Sequence, residues 1–196
     1  MISVLVKRQR VLLTTSRRPT KSMRTLCRDI SYTFSHVVQI NRGKLSLEGI
    51  AEKALEFGIE KVMVVDRWKG GPGKIEFFEV GQDGLKAVSP IIYLRNVKFR
   101  RDFGEKMLKG KGIKSVAIAV SPSESFEVKK TEKAFSVFFG ISSLSLDEAV
   151  NRKYDAVMHI LADSSNCMTI TFRLVPELVE VGPRIGISHL VWELTR

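Results

Sequence analysis

The chain of 196 residues predicts an α/β fold of two similar halves, each a mixed sheet packed with helices. Two observations predict it. Short apolar runs ending in turn residues alternate with stretches whose apolar residues recur at helical spacing, the signature of strands interleaved with helices. Three segment pairs also recur in the same order. "VLLTTS" (11–16) matches "VAIAVS" (116–121), and "LSLE" (45–48) matches "LSLD" (144–147). "VMVVDRWKGGPGKIEFFEV" (62–80) matches "VMHILADSSNCMTITFRLV" (157–175), both of strand–turn–strand pattern. The offsets are 105, 99 and 95 residues, as a duplication whose second copy has shed loop residues would give.

The elements follow in order. "RVLLTTS" (10–16) reads as a buried strand, and Thr20 caps a helix whose apolar face is Met23, Leu26, Cys27, Ile30 and Phe34. "HVVQI" (36–40) is the next strand, ending at Asn41-Arg42-Gly43. Ser46 caps a second helix that runs to Phe57, with Gly58 just past its end. Residues 61–68 and 74–80 form a hairpin around "KGGPG", and a strand through "PIIYL" (90–94) closes the first half. A short link around 95–98 then leads to a helix with Phe99, Phe103 and Met107 on one face, and a strand at 115–121 opens the second half. The whole is expected to be a single domain, 1–196, with halves at about 10–95 and 96–196 that share an interface.

Charge is the most informative bulk property. The formal net charge is +11, and it is segregated. Residues 1–44 hold ten Lys and Arg against one acid, Asp29, and residues 95–114 hold eight against two. Each of the other two stretches, 45–94 and 115–196, carries −2. A segregated excess presents a positive surface to an anionic partner. No run of 18 apolar residues exists to span a membrane, and "MISVLVKRQR" has its charge on the wrong side for a secretory signal. A cytoplasmic protein that does not touch membrane is the expectation. Four Asn and three Gln in all hint at a heat-loving source.

Several motifs yield to plainer readings. "WKGGPGK" (68–74) has Trp68 where a phosphate loop needs its first glycine, and Ile75 where it needs Ser or Thr, so it is a hairpin turn. "GKGIKS" (110–115) lacks the last glycine of a dinucleotide fingerprint. Cys27 and Cys167 lie 140 positions apart with no CxxC, which fits buried thiols rather than zinc ligands. His36, His159 and His189 sit in or beside apolar strands without a nucleophile elbow nearby. The acids of "LSLEG" and "LSLDE" suit helix N-termini. No catalytic constellation, metal site or cofactor site is read from the sequence.

One stretch resists a plain reading. "VLLTTSRRPTKSMRTLCRD" (11–29) sets Arg17, Arg18 and Lys21 around a helix start, where cations typically cost about 0.3–1 kcal/mol each. A bound phosphate reverses that sign, because free N–H groups at a helix start and surrounding cations both favour an anion. Thr14, Thr15 and Ser16 could add hydroxyls, and Arg24 and Arg28 extend the track along the helix.

At "TTSRRPT" (14–20), "INRG" (40–43) and "ELVEVGPR" (177–184) the chain resembles Brix-domain proteins, ribosome-biogenesis factors that act on precursor ribosomal RNA. The resemblance runs from about residue 10 to the C-terminus and is nearest the branch acting in small-subunit processing. It implies a non-enzymatic RNA-binding assembly factor whose halves resemble the anticodon-binding domains of class II tRNA synthetases. Ser16, Arg17, Asn41, Arg42, Gly43 and Arg184 carry the family's motifs. A bare domain without the tails of eukaryotic relatives is the expectation, as in archaeal members.

The expected RNA-binding set is therefore Thr15, Ser16, Arg17, Arg18, Lys21, Arg24, Arg28, Asn41, Arg42, Gly43 and Arg184. The expected partners are precursor rRNA and other ribosome-assembly proteins, with the chain itself a monomer. Aromatic residues near the basic segments are few (Tyr32 and Phe99), so no stacking platform is expected. The alternative reading is a protein-binding scaffold whose basic face docks an acidic partner segment in a pre-ribosomal particle.

Overall fold

The computed structural model describes residues 9–68, 71–104, 112–122, 125–165 and 167–194. Its first half runs β1 (Val11–Thr15), α1 (Lys21–Thr33), β2 (Val37–Gln39), α2 (Leu47–Glu56), β3 (Lys61–Trp68), β4 (Gly71–Gly81) and β5 (Gly84–Lys98). A single 3-10 turn, Arg100–Phe103, follows. The second half runs β6 (Val116–Ala119), α3 (Phe126–Phe139), β7 (Ser143–Leu144), α4 (Leu146–Asn151), β8 (Ala156–Ala162), β9 (Met168–Leu174) and β10 (Arg184–Val191).

The two predicted caps, at Thr20 and Ser46, form, and Ser145 adds a third. Thr20 accepts the Met23 N–H at 3.3 Å, Ser46 accepts that of Gly49 at 3.1 Å, and Ser145 that of Glu148 at 3.2 Å. Each hydroxyl satisfies one of the backbone donors that a helix start leaves free. β1 is buried throughout, as expected of a parallel strand covered on both faces. Alternate residues divide the covering. Val11, Leu13, Met63, Val65, Ile75 and Phe77 face α1 and α3, whereas Leu12, Val62, Val64 and Phe78 face α2.

Two expectations need correction. The halves do not form separate sheets; all ten strands make one, in the order β2-β1-β3-β4-β5-β10-β9-β8-β6-β7. The supposed link at 95–98 lies inside β5, which pairs with β4 on one side and antiparallel with β10 on the other, from Lys98↔Arg184 to Ile91↔Val191. A strand 15 residues long has two edges to satisfy, and the second is taken by the other half. The helix expected after residue 98 is a single 3-10 turn that Gly104 ends at φ +80; Met107 lies outside the described residues.

Within the sheet the two halves have the same element order and the same spatial order, 2-1-3-4-5 and 7-6-8-9-10, and meet at the β5–β10 seam. Beneath the seam α1 and α3 share one core. Phe34 stacks on Phe139 with centroids 4.8 Å apart and meets Phe172 edge-on at 5.3 Å. Phe77 meets Phe138 at 4.7 Å. Such pairs contribute about 0.5–1.5 kcal/mol each beyond the area they bury. Lys61 crosses the same boundary, its Nζ donating to the Val137 carbonyl at 2.7 Å. Among the described residues no helix is long and apolar enough to cross a membrane.

Candidate nucleic-acid interface

β1 and β3 run parallel, with Thr15 opposite Val65 as their last pair, so the residues after β1 emerge beside the last residues of β3. Ser16, Arg17 and Arg18 come from one, Asp66 and Arg67 from the other. Together with Arg42 and with Ser46, Leu47 and Glu48 of the α2 start they line a depression of about 630 Å³. Arg18 turns the chain there at φ +55, a left-handed conformation that costs an L-residue roughly 1–2 kcal/mol. Its carbonyl accepts a hydrogen bond from Arg67 Nη2, which holds the turn. The depression opens against the start of α2, whereas the charge pattern of the sequence pointed to the start of α1.

Arg42 serves beneath this surface. It is 7% exposed, its Nε donates to the Leu45 carbonyl at 2.8 Å and its Nη1 to the Thr15 carbonyl at 3.3 Å. Burial and the neighbouring Arg17 lower its pKa, against the pull of Asp66. Thr15 is itself buried, and the Thr14 hydroxyl is used on the Ile40 carbonyl, so of the three expected hydroxyl residues only Ser16 lines the depression. Asn41 is exposed; Gly43 takes φ +53 with open space around it, so the turn needs its backbone freedom rather than its small size.

Asp66 and Glu48 bring negative charge to the rim. Burial raises the Asp66 carboxyl, but the Ser16 hydroxyl, the Arg67 N–H and Lys74 together hold it below its ordinary value. Lys74 Nζ stands 3.4 Å from Asp66 and 3.1 Å from Glu76.

From the depression α1 runs its 13 residues, about 20 Å, with Lys21, Arg24 and Arg28 exposed along it. Arg24 Nη1 reaches back to the Pro19 carbonyl at 3.0 Å. At the far end Asp29, the one acid of the first 44 residues, turns inward and accepts the Arg100 N–H at 2.8 Å. Burial pushes its carboxyl up, against that N–H and the charges of Arg100, Arg28 and Arg101. The Arg100 guanidinium lies 3.2 Å over the Tyr32 ring. The two basic segments of the sequence therefore meet at the end of α1.

The "EVGPR" segment closes this joint. The Thr33 hydroxyl lies 2.9 Å from the Asp29 carbonyl and 3.3 Å from that of Gly182. A Cβ at Gly182 would come within 2.6 Å of the Phe103 ring, and φ there is +65, so only glycine fits. Arg184 grips the Glu180 carboxylate through both Nε and Nη2 and sits 5.4 Å over Phe103; the Glu180 partner raises its pKa. It stands four strand spacings from β1, about 19 Å, and so belongs to the far end of the track, not to the depression. Arg67 joins the surface without having been anticipated, and Arg100 and Arg101, expected only as part of the basic segment 95–114, join it at the end of α1. Register between distant strands brings them there, and no local pattern carries that information.

No family profile matches the chain. A protein of Pyrococcus abyssi named a probable Brix domain-containing ribosomal biogenesis protein is 32% identical over 94 residues, 48% of this chain and 42% of that one. One of the same name from Thermococcus kodakarensis is 30% identical over 94 residues, 48% of this chain and 45% of that one. Over about half its length the chain is similar to these archaeal proteins named for a Brix domain. The match spans less than half the length of these curated relatives. In fold, the chain is similar to a probable ribosomal biogenesis protein from Aeropyrum pernix K1, with a TM-score of 0.75, 24% identity, and 93% of this chain covered against 99% of that one. An archaeal Imp4-like protein has a TM-score of 0.64 at 21% identity, with the same coverage of both chains. Of the three motif segments, 14–20 and 40–43 meet at the end of β1 and 177–184 meets the end of α1.

Proposed function

We propose that this chain is a non-enzymatic RNA-binding factor of ribosome assembly, which grips precursor rRNA along the track from Ser16, Arg17 and Arg18 through Lys21, Arg24 and Arg28 to Arg101. The carrying observation is that α1 joins the two basic segments while Asp29, the one acid of the first segment, is turned inward. Phosphate contacts of this kind set affinity and position, and the choice of RNA comes from shape and unpaired bases. The names of the homologues support the assembly role. Holding structured RNA in one conformation would assist its processing or folding.

On the same reading the chain is one Brix domain over 1–196, with halves at about 10–95 and 96–196 that arose by duplication of a unit like the anticodon-binding domains of tRNA synthetases. The shared strand order of the halves supports this. It works as a cytoplasmic monomer beside other assembly proteins. An acidic segment of such a protein could occupy the same cations, and binding to purified RNA with no partner present separates the two readings.

The test is the salt dependence of RNA binding. If about five cations each neutralise one phosphate, log K falls against log salt with a slope of roughly −3.5 to −4.5. A slope near zero overturns the proposal.

A further inference from the structure

Beside the basic depression lies an aromatic recess that the proposed function leaves unused. Trp68 ends β3 directly after Arg67 and is 51% exposed. Neighbouring residues of a strand point to opposite sides, and Arg67 lines the depression while Trp68 lines a recess of about 720 Å³. Leu94, Arg95 and His189 line it too, and Ser22 brings in the first turn of α1. Trp68 stands edge-on to Tyr93 at 5.5 Å and 79°, and Tyr93 stacks on His189 at 4.3 Å and 9°.

The chain packs tightly at the base of Trp68. A Cβ at Gly73 would lie 2.1 Å from the Trp68 Cβ and 2.7 Å from its Cα, so the hairpin closes against this residue only because position 73 is glycine. The Arg95 stem passes close to Gly186, its Cγ 3.1 Å from where a Cβ would stand, and its guanidinium is 3.6 Å from the Asp163 carboxylate. A large, half-exposed indole in a recess is uncovered apolar surface. The remaining lining is mixed: Pro72, Leu94, Val97 and Phe99 are apolar, while Ser22, Arg95, Ser188 and His189 bring hydrogen-bonding or cationic groups, a combination that suits a flat heteroaromatic ring with hydrogen-bonding edges. The cations next door favour a polyanion.

We propose that this recess seats an unpaired nucleobase, stacked on Trp68, of the same RNA strand whose phosphates lie by Arg17, Arg18 and Arg67. The inference rests on the RNA-binding reading and adds to it a site for single-stranded RNA.

The test compares a short oligouridylate with a blunt RNA duplex of the same length, binding to the full chain and to its Trp68→Ala and Trp68→Phe variants. The single strand should quench tryptophan emission of the wild type. Trp68→Ala should weaken single-strand binding by about 5- to 150-fold, the range for loss of one base–aromatic stack, with Trp68→Phe restoring most of it. Duplex affinity and the salt slope should be unchanged. If Trp68→Ala binds the single strand as tightly as the wild type, or weakens both RNAs equally, the base site is wrong while the basic track stands. If the wild type binds neither RNA, both proposals fall. Should Trp68→Ala not fold, as judged by its urea midpoint, the other readouts decide: absence of quenching at saturation, or wild-type affinity in a Trp68→Leu variant, overturns the site.

Discussion

The two halves share one topology and differ at the place where their first strand gives way to a helix. In the first half Ser16, Arg17 and Arg18 follow β1; in the second "VSPSES" (120–125) follows β6 without a single cation. The seventh residue of α3, Glu132, is buried and accepts the Ser121 N–H through Oε1 at 2.8 Å. The seventh residue of α1 is Cys27, whose thiol lies 3.8 Å from the Thr14 carbonyl and is pushed up to about 12 by burial. Counting from the shared "LSL", Arg42 corresponds to Ile141, which packs against the core. One half thus carries its own buried carboxylate at the strand end, and the other surrounds the equivalent position with cations. The frame is common, and the difference lies in a few residues at the mouths of the strands, where sites are grafted on folds.

The comparison can be broken most directly by moving charge. Replacing Arg17, Arg18, Lys21 and Arg24 by Ala should flatten the salt slope for RNA by about 3 units. The same treatment of Lys129, Lys130, Lys133 and Arg152 in the second half should leave it nearly unchanged. Equal effects would mean that binding follows net charge alone.

Arg42 comes next. Arg42→Ala leaves the Thr15 and Leu45 carbonyls without their charged donor and should cost about 2–3 kcal/mol, read from the urea midpoint. Arg42→Lys should recover little, since one ammonium cannot reproduce the planar pair of donors. This variant is therefore a poor probe of RNA contact: it strikes the fold first.

The smallest effect sharpens the contrast between the two acids. The Asp66 pKa is lowered from 3.8, so the stability it contributes is present above that value and is lost as pH falls through the lowered one. The Glu132 pKa is raised from 4.5, with burial outweighing the Ser121 N–H and Lys129, so its contribution is full below 4.5 and is lost as pH rises through the raised value. Thermal melts at pH 3, 5 and 7 should show Asp66→Asn costing most at pH 7 and least at pH 3. Glu132→Gln, which keeps an acceptor for Ser121, should gain on the wild type as pH rises. Parallel profiles for both variants would dissolve the distinction.

Much of the fold was legible because its signals are local. Thr20, Ser46 and Ser145 cap helices within three residues of themselves, and the apolar spacing of Met23, Leu26, Cys27 and Ile30 marks the buried face of α1 without help from the rest of the chain. The candidate site was legible as a charge density but not as a geometry. Arg42 reads in sequence like Arg17 and Arg18, yet it lies beneath them, because a guanidinium with two carbonyls in reach can be buried. Tyr32 and Phe99 were the aromatics within reach of the basic segments along the chain. The exposed Trp68 comes beside them only because β3 runs parallel to β1.

By itself the sequence determined most elements of the first half, their caps, the order in which segments recur and the excess of positive charge in two segments, since periodicity, capping and composition act over a few residues at a time. Only the tertiary structure decided that ten strands form one sheet, that Asp29 turns inward to a residue 71 positions away, and that the two basic segments become one surface. Those outcomes depend on strand register and on which groups find a partner once buried, and neither quantity exists until the chain has closed on itself.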